Sequence, residues 1–369
     1  MPSRPKSANH HFVHHGNLVG HHGSVICIRS TEDGRLAASG GADGTRLWNL
    51  DMMASLHCPA KKGLRGSTTA VLWARREDEA AEILFYGTEH GFIVCWKQTT
   101  TASFEEVYAR QLKGKVEVSA LCFDAATNRL VVVDRNGKVL AFAIERDLGL
   151  RLMFSEVLVD AVPKAVAFGD IKDGEKEILL FGLYDGQLRR LHGSSGAELS
   201  KRELGGMIGD ASVNISKGLF CIDDPHQGVA IYRINDLRRL KTLGIKTKKA
   251  LPRARNVCFA DDAKLVVSGS DHGVGYIFDR WSEQVVDELY FGVNDWLQTI
   301  AAVDTNGTTM ILGARSRDVE GQNDIVVWRS AKARIPFKIP SYFIHVFNFL
   351  LAAVALYYVN PYLPKNFQI

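Results

Sequence analysis

The chain has 369 residues, a formal charge of +4 and an apolar fraction of 46%, with only ten prolines. That balance marks a folded globular protein, and so small a charge on this length gives no footing for nucleic-acid binding. Six cysteines without a CxxC pair argue against zinc and disulfide frameworks and suit a reducing, cytosolic setting.

Residues 1–16 form a polar arm carrying His10, His11, His14 and His15. Close imidazoles can bind Zn²⁺ or Ni²⁺, but without nearby Cys or carboxylates no metal site is expected. Met1–His15 has no apolar h-region, so no signal peptide is expected. Then comes Gly20-His21-His22-Gly23-Ser24-Val25, and after it Ser39-Gly40-Gly41-Ala42-Asp43-Gly44-Thr45-Arg46-Leu47-Trp48. A Gly-His, an alternating run, a small-residue run, an Asp-Gly turn and a closing Trp make one four-stranded sheet unit.

The unit repeats. Large apolar residues close short runs at Trp48, Trp96, Phe142, Leu191, Tyr232, Phe278 and Trp328, spaced by roughly 41 to 50 residues, which suits a four-stranded blade. Turns precede six of them, at Asp43-Gly44, His90-Gly91, Asn136-Gly137, Asp185-Gly186, Gln227-Gly228 and His272-Gly273, where these residue types tolerate positive φ. The seventh, Gly321-Gln322-Asn323-Asp324, is longer. Cys27, Cys122 and Cys258 each stand about 20 residues before a closing residue, as expected of small residues on the innermost strand of a radial array. Phe12–Val19 has no unit of its own, and the seventh unit stops at Trp328. The expected domain is therefore residues 17–330, with residues 12–19 completing the last blade and closing the ring.

These motifs resemble the WD40 repeat, and the chain resembles a eukaryotic, fungal-type WD40-repeat protein. The resemblance implies an all-β, seven-bladed β-propeller. In the first unit it implies a buried network of His21, Ser39, Asp43 and Trp48. Units two to seven lack the Gly-His and units three to six lack the Trp, so there packing around anchors such as Trp96, Phe142, Phe278 and Trp328 must serve instead. The stretch from Gly44 to Trp48 is one residue shorter than usual, and a local irregularity is expected in that strand.

Between the fifth and sixth units, KTLGIKTKKALPRAR carries Lys241, Lys246, Lys248, Lys249, Arg253 and Arg255 with no acid. In the family such connections lie on the face of the Asp-Gly turns. Lys246, Lys248, Lys249, Arg253 and Arg255 are the candidates there for acidic or phosphorylated protein partners or anionic headgroups.

A basic linker, 331–341, holds Lys332, Arg334 and Lys338. Tyr342–Val359 follows without a charge. As a helix it would span about 27 Å, close to a bilayer core, with aromatic residues at both ends. Residues 360–369 form a short tail. A single C-terminal membrane helix is expected, with the propeller on the cytosolic side because the basic residues precede the span. The rival reading is a helix docked on the propeller, since His345 and Asn348 share one face.

No nucleophile–base arrangement is readable. Ser194-Ser195 falls in a turn, and Asp170, Asp173 and Glu175 depart from the EF-hand pattern. The expectation is a monomeric, non-catalytic, membrane-tethered scaffold without cofactor. A cytosolic propeller with one C-terminal span is also the plan of the guanine-nucleotide exchange factors that activate a small GTPase at the endoplasmic reticulum. Those carry a Gly-rich, ion-binding loop in the first blade; here Gly40–Gly44 looks like an ordinary repeat turn.

Overall fold

A computed structural model describes residues 12–60, 63–172, 174–247, 253–292, 295–305, 307–316 and 322–330. The linker 331–341, the uncharged run Tyr342–Val359, the tail 360–369, and Lys248 and Lys249 lie outside the described residues, as do His10 and His11. Among the described residues no helix is long and apolar enough to cross a membrane.

Seven four-stranded antiparallel sheets account for the described strands. Their first strands are Val25–Ser30, Thr68–Ala74, Val118–Asp124, Pro163–Lys172, Ala211–Asn214, Val257–Ala260 and Trp296–Thr305. Each packs on the next and the last packs on the first, so these seven line a central channel. The product is a seven-bladed β-propeller, in which circular closure leaves only short, protected edges.

The seventh blade is completed from the other end of the sequence. Phe12–His22 pairs antiparallel with Gln322–Ser330 as its outermost strand. Phe12 and Leu18 are buried, and the Phe12 N–H donates to Asp287 of blade six at 2.9 Å. The strand is longer than the expected Phe12–Val19 and includes residues 12–16 of the polar arm. Asn323 Nδ2 then donates to Gly23 O at 2.7 Å, tying blade seven to blade one.

The core is not one cluster but a series of layers between adjacent blades. Between blades two and three, for example, Phe85 and Ile93 meet Leu130, Val132, Leu140 and Phe142. Between blades seven and one, Leu312, Ile325 and Val327 meet Ile28, Trp48 and Leu50. Period-two alternation supplies both faces of each sheet, because each blade is covered on two sides. Cys27, Cys122 and Cys258 lie on first strands, as their spacing predicts. Crowding near the axis explains the small residues: a Cβ on Gly40 would stand 2.7 Å from Cys27 Sγ and 2.4 Å from Thr68 Cγ2.

The expected irregularity before Trp48 is absent. Leu36–Gly41 and Gly44–Asn49 pair without a bulge from Leu36↔Asn49 to Gly41↔Gly44. The missing residue is taken from the hairpin, which shrinks to Ala42-Asp43, and Gly44 accommodates it at φ 100°. At the corresponding turn of blade four, Gly186 has φ 59°, and a Cβ there would stand 1.9 Å from Gly206 O.

Candidate interaction face

Because every inner strand begins at the same rim, one face of the propeller gathers all the outer-to-inner connections and all the second-to-third turns. This upper face carries the residues singled out by sequence. Where the outer strand of blade seven leads into blade one, the four network residues come together. Trp48 Nε1 donates to Ser39 Oγ at 2.7 Å, and Ser39 Oγ and His21 Nε2 are 2.6 Å apart. His21 Nδ1 and Asp43 Oδ1 are also 2.6 Å apart. The chain is satisfied throughout when the His21 proton sits on Nδ1: indole N–H to hydroxyl, hydroxyl to Nε2, Nδ1–H to carboxylate. Asp43 also accepts from the His22 N–H at 3.1 Å and Arg46 Nε at 3.0 Å. Burial opposes charge on Asp43, but His21, the His22 N–H and Arg46 outweigh it and hold its carboxyl well below the usual range. With a two-residue turn and a carboxylate already engaged, this loop is a structural clamp.

The other blade anchors differ. Trp96, Phe142 and Phe278 are buried. Two residues before Trp96 the ladder places Tyr86 opposite Val94, where blade one has Ser39 opposite Arg46. Tyr86 packs edge-on against the Trp96 ring, centroids 4.9 Å apart. Trp96 Nε1 finds no acceptor among the described residues. Trp328, expected as a buried anchor, is only half-buried; it packs against the imidazole of His14 and the ring of Phe291.

The basic connection divides. Lys246 is exposed, and Arg253 lies over the Trp296 ring, 5.0 Å from its centroid. Arg255 is not available to a partner and leaves the set of candidates. It is 1% exposed. Its Nε donates to Asp223 Oδ1 at 2.9 Å, its backbone N–H to Asp223 Oδ2 at 2.8 Å and its Nη2 to Asp224 O at 2.9 Å. The physical reason is Asp223: a carboxylate buried between blades five and six needs a cation beside it. Burial pushes the Asp223 carboxyl up, and the charge and hydrogen bonds of Arg255 oppose that shift.

Sequence spacing did not reveal a second cluster on this face. The connection 158–162 is pinned to turns on both sides, by Leu158 N–H to Gly137 O at 2.9 Å and Leu183 N–H to Val162 O at 2.8 Å. That places Val157, Val159, Tyr184 and Arg135 over blades three and four. Val157 and Tyr184 are each 62% exposed and Val159 is 77% exposed. Arg135 extends to Glu117, Nη1 to Oε2 at 3.0 Å. The turn at Asp185-Gly186 was legible, but nothing in the sequence said that the Tyr before it points outward. Five of the cysteines are poor nucleophiles: burial pushes the thiols of Cys27, Cys95 and Cys258 up to about 12, and those of Cys122 and Cys221 up as well.

The fold and its clamp define a closed, seven-bladed repeat propeller. Residues 12–49 match the family model described as WD domain, G-beta repeat. The match starts on the outer strand of blade seven and ends on the third strand of blade one, so the sequence repeat straddles two blades. No curated protein matches the chain. The chain is a WD40-repeat β-propeller, a fold suited to protein-interaction scaffolds.

Proposed function

We propose that this protein is a non-catalytic platform for protein–protein interaction, held at the cytosolic face of a membrane by Tyr342–Val359. The observation that carries the interaction reading is the exposed cluster of Val157, Val159, Tyr184 and Arg135 on one rim of a rigid ring. Tyr and Arg dominate interface hot spots, and exposed aliphatic neighbours supply the apolar surround. Lys246 and Arg253 add positive charge on the same face, suited to acidic or phosphorylated partners. The membrane reading rests on the uncharged run and its aromatic ends in the sequence.

The test is proximity labelling and crosslinking of the full chain against Tyr184→Ala with Val159→Ser. Loss of a defined set of neighbours at unchanged melting temperature supports the platform. An identical set in both forms excludes this rim as the docking surface.

A further inference from the structure

The central channel holds charge that the fold does not neutralise. A cavity of about 80 Å³ on the axis is lined by the inner strands of several blades, with Arg29, Lys164 and Asp210 as its charged residues. Lys164 is half-buried and makes no hydrogen bond or ion pair to any described residue. Arg29, on the blade-one inner strand, spends one N–H on the Ile28 carbonyl at 3.0 Å and has no ion pair among the described residues. The one carboxylate in the lining is partly engaged: Asp210 Oδ2 accepts from Asn256 Nδ2, also in the lining, at 2.9 Å and from the Val257 N–H at 3.2 Å. Burial raises the Asp210 carboxyl, and Arg29 and Lys164 both act against that rise.

Half-buried Lys164 and exposed Arg29 line the cavity with one acid, which leaves an excess of positive charge. A water needs roughly 10–15 Å³ of such space, so the cavity of about 80 Å³ has room for about five to eight non-hydrogen atoms. That is the size of a tetrahedral oxyanion and too small for a peptide segment. Charge-assisted hydrogen bonds from an ammonium and a guanidinium match phosphate oxygens in chemistry and geometry.

We propose that the channel binds a small tetrahedral oxyanion, inorganic phosphate or its equivalent, between Lys164 and Arg29. The anion supplies the counter-charge that blades one and four lack and links their inner strands across the axis. This site is separate from the rim cluster and does not depend on the platform reading.

The test is calorimetric titration of the full chain with inorganic phosphate at low ionic strength, using sodium chloride at matched ionic strength as the control. Saturable binding with one site per chain is expected. Lys164→Met and Arg29→Met should each weaken it roughly tenfold, the loss of one charged hydrogen bond. Lys246→Met, on the rim, should leave it unchanged. Asp210→Asn should tighten it severalfold while keeping an acceptor for the Val257 N–H. Far-UV circular dichroism shows whether each variant is folded. No saturable binding to the unaltered chain up to on the order of 10 mM overturns the proposal. So does undiminished binding to a folded variant carrying both Lys164→Met and Arg29→Met, or binding of acetate and acidic peptide in preference to phosphate.

Discussion

Trp48 and Trp96 close their blades in the same register, yet only one has its indole N–H satisfied. The difference is a single position, Ser39 against Tyr86. In blade one a hydroxyl serves as acceptor for the Trp and partner for His21. In blade two a ring fills the space and adds aromatic contact. Trp48→Ala removes a fully buried side chain and strands Ser39, so a loss of about 3–5 kcal/mol is expected in chemical denaturation. Trp328→Ala, at a half-buried site, should cost only about 1–2 kcal/mol. Asp43 gives the pH dependence. Its folded carboxyl titrates below its ordinary value of 3.8, so its contribution is complete above that value and is lost as pH falls below it. The melting-temperature gap between the unaltered chain and Asp43→Asn should therefore be widest near neutrality and narrow below about pH 4; a gap that grows on acidification would contradict the assignment. The clamp was legible because its four residues lie within one repeat at fixed spacing. The Asp223–Arg255 pair was not: its partners lie in different blades, and a run of basic residues looks the same whether its charges are solvated or buried. Removing one partner of such a pair leaves the other uncompensated. Arg255→Ala should cost about 3–5 kcal/mol, whereas Lys246→Ala should be within about 0.5 kcal/mol of neutral.

The outer strand of blade seven decides whether the ring is closed. It is the one strand whose partners lie at the opposite end of the propeller sequence, Phe12↔Ser330 through His22↔Gln322. Its place was readable by elimination, since one unit lacked a strand and one segment lacked a unit. Its length was not, because polar residues such as His14 and Asn17 occupy the exposed positions of the pairing and carry no apolar alternation. Deleting residues 1–19 removes Phe12 and Leu18, each worth about 1.5–3 kcal/mol of burial. It also bares the backbone edge of Gln322–Ser330, a template for unwanted pairing. The truncated chain should melt well below the full one and show larger species on gel filtration. Deleting residues 1–8 should change neither measurement. If the longer deletion melts with the full chain, the N-terminal strand does not close the ring.

At the scale of the whole molecule, the repeat count and the closed ring followed from closing residues at regular spacing, whereas the distribution of surface chemistry did not. Exposure of Tyr184 or Val159 depends on how connections meet at the rim, and the setting of Lys164 depends on what five other blades place around the axis. Each described interblade layer is already filled by side chains from the two blades it joins. On the proposed membrane reading, the uncharged run of eighteen residues, Tyr342–Val359, is taken up by lipid. The full chain is expected to stay with membranes through alkaline carbonate extraction, and a chain ending at Ser330 to be soluble and folded. An Arg at the centre of a membrane helix costs about 2.5–3.5 kcal/mol on insertion scales, so Leu350→Arg with Leu351→Arg should release the protein into the soluble fraction. A helix that packs on protein instead gives the reverse pattern: truncation bares apolar surface, and the shortened chain aggregates while the full chain stays in solution. His345 and Asn348, three residues apart, would then mark the face that meets its protein partner. One fractionation of the three forms separates the two arrangements, because the same truncation turns the protein soluble in one and insoluble in the other.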